Sequence, residues 1–349
     1  MAIFQPTISG GGSAPANYMT YDVDANGKLV KGTTISITSN PTDIGDYALY
    51  YACYKGSSYT GALDLSSLTT ISGQYACQYG FQDCTGLTSV NLSGLTSITG
   101  YYACQSGFIG CTGITSVDLD SLTTISGNYA CQYMFRYCTG ITSVDLGSLR
   151  AVSGGYACTA MFEGCTGITG ALDLSSLTTV EGINGYGTHS MFRGCTGITS
   201  VDLSSLNYIY GMYCCARMFE NCSSLVSADL SSLPSGGSQN GLQYTFAGCS
   251  ALTTVNLSSL TNLTSSGCCA YMFQNCTSLT SLSFPAITTT SFGNNNTNQF
   301  NDMCSGITGI TLHFPSNVQS VIEGLQGYST TAPFGAVSGT VLFDLPATT

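Results

Sequence analysis

Eight polar residues recur at one position of a repeated short motif: Asp64, Asn91, Asp118, Asp145, Asp173, Asp202, Asp229 and Asn256. Each precedes a Leu and follows an apolar residue, as in Val144-Asp145-Leu146, so on a strand it points away from the pair that faces a core. Strands stacked in a parallel sheet lie about 4.8 Å apart. At that interval neighbouring carboxylates repel by about 1 kcal/mol even in bulk water. Bound cations (calcium being the ion considered), ligand hydroxyls or the protein's own donors would offset the repulsion. The last option is an Asx turn, in which the carboxylate accepts from the Ser-Ser-Leu segment that follows. Paired carboxylates also hydrolyse glycosides, but acid–base catalysis needs unequal environments, and every copy here has the same setting. The column is a candidate ligand or cation ladder rather than an active site.

Eighteen cysteines offer a second chemistry. One column contains Cys84, Cys111, Cys138, Cys165, Cys195, Cys222, Cys249, Cys276 and Cys304; the other lies seven residues earlier, at Cys77, Cys104, Cys131, Cys158, Cys215 and Cys269. Thr188 and Leu242 interrupt the second column, which a small apolar pocket tolerates and a disulfide or metal site does not. Zinc needs clustered Cys or His; there is no C-x-x-C, and the only histidines are His189 and His313. Packing is the simplest reading, and bridging stays open where coils approach within about 5–6 Å. The vicinal pairs Cys214–Cys215 and Cys268–Cys269 are expected to place one thiol in and one out. No G-x-S-x-G, H-E-x-x-H or phosphate-cradling loop is present, and the chain is expected to be non-enzymatic, without metal or cofactor unless calcium occupies the Asp column.

The elements that must position these residues follow from a repeat. The first cysteine column advances by 27, 27, 27, 30, 27, 27, 27 and 28 residues, the extra three falling in the segment Val180 to Ser190. Within a unit, Ile141, Val144 and Leu146 mark a strand, and Leu122 and Ile125 an extended piece before a glycine. Ala130, Met134, Phe135 and Cys138 are spaced like one face of a short helix. A tyrosine column (Tyr75, Tyr102, Tyr129, Tyr156, Tyr186, Tyr213) opens that return, where core-edge packing with a wet hydroxyl is expected. One unit cannot bury its apolar side alone; stacked units can. Positions that vary while the frame stays fixed, among them Tyr79, Tyr133, Arg136, Tyr137 and Arg217, form a candidate variable binding face.

Composition narrows the partners. Only 7% of residues are charged, against roughly 25% in typical soluble domains, and the net charge is −11. Seven scattered Lys and Arg cannot serve nucleic acid or an anionic membrane surface. No apolar run is long enough to span a bilayer, and the N-terminal segment has no legible secretion signal.

The pattern F-x-x-C-T-x-[LI]-T-x-x-x-L, as in Phe108 to Leu119 and Phe192 to Leu203, resembles the BspA-like leucine-rich repeats of bacterial, protist and phage proteins. It departs from the commonest form in having Asp-Leu-Ser-Ser-Leu where an Ile-Pro pair is frequent, and in its longer unit. The resemblance covers about Tyr47 to Phe314. The expected architecture is an α/β repeat solenoid with short parallel strands on one face and short helical returns on the other. A flexible Gly/Ser/Pro leader would occupy 1–17 and an N-terminal cap 18–46, a β-hairpin turning at Ala25-Asn26-Gly27-Lys28. Repeats would fill 47–314. A C-terminal cap would occupy 315–349, with a helix capped by Ser316 or Asn317 and a last strand.

The function this implies is a binding or display module for adhesion or receptor recognition, with a protein or glycan ligand. The leader resembles the starts of phage tail-associated proteins. That suggests a virion-exposed protein made in the cytosol, joined to other assembly subunits through the leader. A purely structural subunit of a virion appendage or filament, and an adhesin on a bacterial surface, are the alternatives.

Overall fold

The computed structural model describes residues 19–20, 35–37, 42–53, 60–182, 185–288, 290–292 and 298–347. The leader and the Ala25-to-Lys28 turn lie outside them. Each repeat forms one coil of a parallel β-solenoid. Its sheet face is built from the Asp-bearing strands, which pair in register with the same strand of neighbouring coils. Gly61–Asp64, Leu87–Asn91, Ser116–Asp118 and Ser143–Val144 form one run. Thr169–Asp173, Gly197–Asp202, Ser227–Asp229 and Thr254–Asn256 form the next. The extended piece forms a second parallel ladder, from Thr70–Ile71 through Ser97–Ile98, Thr124–Ile125, Ala151–Val152 and Thr179–Glu181 to Tyr208–Tyr210.

The third side corrects the sequence reading. The return is not helical. From Tyr75 to Asp83 the alternate N–H groups (Tyr75, Cys77, Tyr79, Phe81, Asp83) donate to carbonyls of the next coil at 2.6–3.1 Å. The N–H groups of Gln78, Gly80, Gln82 and Cys84 donate three residues back, to Tyr75, Cys77, Tyr79 and Phe81. The result is a ribbon of overlapping β-turns, every second one carrying a positive φ at its third residue, as a type II turn requires: 54° at Tyr79 and 58° at Asp83. Three columns of positive φ recur along the molecule, the first two from Tyr47 and Tyr51 through Tyr75 and Tyr79, the third from Asp83. The third holds residues that accept that conformation readily, Asp83, Gly110, Gly164, Gly194, Asn221, Gly248 and Asn275, except at Tyr137 (φ 62°). A four-residue turn period lies close to 3.6, so the apolar spacing imitates a helix. Steric room decides between them. An α-helix is about 10 Å across, so one helix per coil needs the return side to fan out to about twice the strand spacing of about 4.8 Å. Here the return is itself hydrogen-bonded coil to coil, which holds it at the short pitch and leaves no room for a helix.

The interior is a set of residue columns. Phe81, Phe108, Phe135, Phe162, Phe192, Phe219, Phe246 and Phe273 are fully buried. They stack face to face with centroids 5.1–5.9 Å apart and planes within 8°. The thiols of Cys111, Cys138, Cys165, Cys195, Cys222, Cys249 and Cys276 each donate to the carbonyl of the Phe in the preceding coil, at 2.9–3.2 Å. That bond explains a cysteine where a plain apolar residue would fill the space. All eighteen cysteines are buried. Both members of the vicinal pairs face inward, Cys214 and Cys215 at 0% and 2% exposure, Cys268 and Cys269 at 0% and 1%, contrary to the in-and-out expectation. Cys214 fills a gap by donating to the Val180 carbonyl at 3.3 Å. At the interruptions, Thr188 keeps a polar bond to the Cys214 carbonyl (3.2 Å) and Leu242 fills the apolar space.

At the N-terminus Met19–Thr20 pairs antiparallel with Ile35–Ile37, which continues the sheet face into Gly61–Asp64. At the other end Ser281–Ser283, Thr308–Pro315 and Ser338–Leu345 form a parallel sheet. Between the last two lies a single-turn helix, Gln319–Glu323, preceded by a 3₁₀ turn at Ser316–Val318. Neither Ser316 nor Asn317 caps it: the 3₁₀ turn already starts at Ser316, behind Pro315, with no side-chain capping bond.

Two outcomes follow. Burial pushes the Cys165 and Cys276 thiols up to about 12 from an ordinary 9.0, and likewise raises those of Cys131, Cys195 and Cys222 well above it. The folded chain thus holds protons that the unfolded chain releases. The stabilisation is complete below about pH 9 and lost as pH rises toward the folded values, by about 1.4 kcal/mol per unit for each such thiol. Thermal melts between neutral pH and pH 11 should show Tm falling steeply on the alkaline side, with few thiols reactive natively and eighteen after denaturation. Separately, a Cβ at Gly127 would lie 2.2 Å from the Gly100 carbonyl oxygen, as one at Gly100 would from that of Gly73. Gly127→Ala should therefore cost about 1–3 kcal/mol or more in urea melts.

Candidate binding surfaces

On the sheet face all eight predicted ladder residues occupy equivalent positions and behave alike. The side-chain oxygen accepts the backbone N–H two residues on: Ser66 for Asp64, Ser93 for Asn91, Asp120 for Asp118, Gly147 for Asp145 and Ser175 for Asp173. Ser204, Ser231 and Ser258 do the same for Asp202, Asp229 and Asn256. These Asx turns, 2.8–3.4 Å long, turn the chain out of the strand. The Ser175 hydroxyl and N–H hold the Asp173 carboxyl below its usual range. Asp173, Asp202, Asp229 and Asn256 stand side by side in register and line a shallow groove of about 750 Å³ with Ser200 and Ser227. Among the described residues no group of three or more His, Cys, Asp or Glu could hold a metal ion.

On the return face the variable residues are drawn into an internal network. Arg136 Nε lies 2.7 Å from Glu163, Arg193 bridges Glu163 (3.1 Å) and Glu220 (2.6 Å), and Arg217 meets Glu220 at 2.9 Å. The guanidinium of Arg136 also lies over Tyr133 and Tyr137, 5.1 and 4.5 Å from the ring centroids, and that of Arg217 over Tyr244 at 4.2 Å. Three cations and two anions thus zigzag across adjacent coils. Arg136 and Arg217 were singled out in the sequence, but the partnership with Arg193, Glu163 and Glu220 was not. The signal was available: Arg136, Glu163, Arg193 and Glu220 alternate in sign at the repeat interval. Tyr79 lies apart from this network and pairs with Tyr51, ring centroids 5.1 Å apart.

The tyrosine column forms a continuous stack. Tyr47, Tyr75, Tyr102, Tyr129, Tyr156, Tyr186 and Tyr213 lie ring on ring, centroids 4.5–5.3 Å apart, planes within 18°. All are half-buried. Burial, reinforced by neighbouring phenols, raises Tyr75, Tyr102 and Tyr156 above their ordinary pKa.

The two histidines do not meet. His189 is half-buried beside the return-face network; desolvation, with help from Arg217 and Arg193, lowers it to about 4, so it is neutral at pH 7. His313 Nδ1 lies 2.9 Å from Asp344 and ties the last two strands together. No described helix is long and apolar enough to cross a membrane.

Three solved structures resemble the chain at low identity. A leucine rich cell surface protein of Faecalibacterium prausnitzii A2-165 is 17% identical, with 93% of each chain covered and a TM-score of 0.36. The T. pallidum leucine rich repeat protein is 20% identical over 70% of this chain and 82% of its own, with a TM-score of 0.34. A leucine-rich repeat protein of Eubacterium ventriosum ATCC 27560 is 16% identical over 78% and 91%, with a TM-score of 0.22. Among curated proteins none matches. The BspA type leucine rich repeat region matches six copies across residues 33–182 and 160–303. With its 27-residue coils stacked in parallel register, the chain belongs to the BspA-type leucine-rich repeat family.

Proposed function

We propose that the chain is a non-enzymatic recognition module whose sheet face holds a protein or glycan ligand non-covalently. The observation that carries this reading is the in-register row Asp173, Asp202, Asp229 and Asn256 along the groove. Each rung is fixed by its Asx turn through one oxygen, which leaves its remaining lone pairs to a ligand's hydroxyl or amide donors. Rungs held rigidly in advance lower the ordering cost of binding. The uniformity of the rungs suits repeated contacts and disfavours acid–base chemistry, which needs two carboxyls of different pKa. A module of this kind works on an exposed surface, and a bacterial cell envelope and a virion both provide one. A second reading, a structural subunit, is favoured by the terminal strand Ser338–Leu345, which ends its sheet and could continue it into a neighbour. Self-association at modest concentration without ligand capture would select it.

Asn91 and Asn256 show that an amide supports the same turn. Asp173→Asn, Asp202→Asn and Asp229→Asn together should keep Tm within a few degrees. Binding on a glycan array or to whole bacterial cells should fall about tenfold or more, because hydrogen bonds to charged acceptors are worth about 1.5–3 kcal/mol each. Undiminished binding by the triple variant would remove the sheet face from the reading. Calcium titration followed by melting temperature should give no shift, since a single oxygen-bearing side chain per rung falls short of the six to eight oxygens calcium takes; a clear rise would assign an ion to the ladder.

A further inference from the structure

The tyrosine stack is a repeating surface that shares coils with the Asp groove but is built on the return side of each. Stacking the rings against one another buries their faces and leaves Tyr75, Tyr102 and Tyr156 half-exposed at the surface, with the Tyr102 phenol hydrogen-bonded to that of Tyr101. The row is widened at its N-terminal end by Tyr50 and Tyr101, set edge-on to Tyr47 and Tyr102 at 5.4 and 4.3 Å, and Tyr101 is 40% exposed. The residues immediately preceding the rungs from Tyr75 on, Gln74, Tyr101, Asn128, Gly155, Gly185 and Met212, carry no charge, and the one before Tyr47 is the acidic Asp46.

We propose that this tyrosine ladder is a second binding surface, one that takes a neutral, extended polysaccharide lying along the solenoid axis. Three observations define the ligand. A phenol donates and accepts one kind of hydrogen bond to hydroxyls and offers apolar ring edge beside it, which matches a sugar's mixture of hydroxyls and C–H surface. The ladder has no cation to hold an acidic polymer, and a chain of net charge −11 repels one. The rungs recur every 4.5–5.3 Å in a file of seven. Successive rings of an extended, cellulose-type glucan advance by nearly the same interval, so each sugar meets a rung. A coiled or branched glucan loses register after a rung or two. A single hydrogen bond contributes only about 0.5–1.5 kcal/mol, so useful affinity arises from many rungs acting on one chain, and binding strengthens with ligand length.

The test uses the whole chain in affinity electrophoresis through gels containing hydroxyethyl cellulose or dextran, with cello-oligosaccharides of increasing length as competitors. Retardation is expected in the cellulose derivative and not in dextran, with competition strengthening at each added sugar. Tyr102→Phe, Tyr129→Phe and Tyr156→Phe combined keep the rings and their stacking but remove three hydroxyls. Circular dichroism should be unchanged and affinity should fall about tenfold or more. Tyr101→Ser, at an exposed flank, should weaken retention less. The Asp173, Asp202 and Asp229 triple variant should be retained like the native chain, which separates this surface from the sheet-face groove. Equal behaviour in the two gels, competition independent of length, or full retention of the triple Phe variant would each overturn the proposal.

Discussion

Backbone contact between successive coils is the constraint on which the molecule depends. At Gly100, Gly127 and Gly154 the chain touches the glycine of the coil before it, leaving no room for a side-chain carbon. The two strand ladders and the turn ribbon all bond coil to coil, so all three sides advance at one short pitch. Stacking at that pitch brings each residue against its own equivalent. A residue type is therefore acceptable only if it packs on itself. Phe on Phe and Tyr on Tyr do so with parallel rings. Gln78, Gln105 and Gln132 do so by passing an amide hydrogen bond from coil to coil.

Charge is what packs worst on itself, which accounts for a chain with 7% charged residues. Like charges one coil apart repel along the whole stack, and the protein meets this in two ways. On the return face the sign alternates, Arg136, Glu163, Arg193, Glu220, so Glu163 and Arg193 each have an opposite neighbour above and below, and the end charges Arg136 and Glu220 have one each along the row. On the sheet face the acids are tied individually to backbone N–H groups, and Asn91 separates Asp64 from Asp118. The polar surface that remains is mostly hydroxyl, amide and phenol. Such groups make weak contacts singly and useful ones in rows, which gives both proposed binding surfaces their character.

The cysteines follow the same logic. The position before each Thr-Gly or its equivalent needs a group small enough for the interior and able to donate to a Phe carbonyl one coil away. A thiol meets both needs as a buried, weakly polar group. Its burial suppresses the thiolate, the reactive form, so a chain with eighteen thiols can hold them without using them.

The repeat period, the strand with its outward Asp, the second extended piece and the buried cysteine columns were legible in the sequence, because each depends on local alternation or on recurrence at a fixed interval. The Asx turn was legible too, as one of the ways an Asp before Ser-Ser-Leu can be satisfied. The return was not. Ala130, Met134, Phe135 and Cys138 fit a helix and a four-residue turn ribbon equally well, and only the spacing between coils excludes the helix. Tertiary structure alone also turned both Cys214 and Cys215 inward, since Cys214 finds its acceptor at Val180 in another coil. The Arg–Glu zigzag and the tyrosine stack likewise exist only once neighbouring coils are superposed. The sequence determined what each coil contains; the distance between coils, set by backbone against backbone, decided what those residues became.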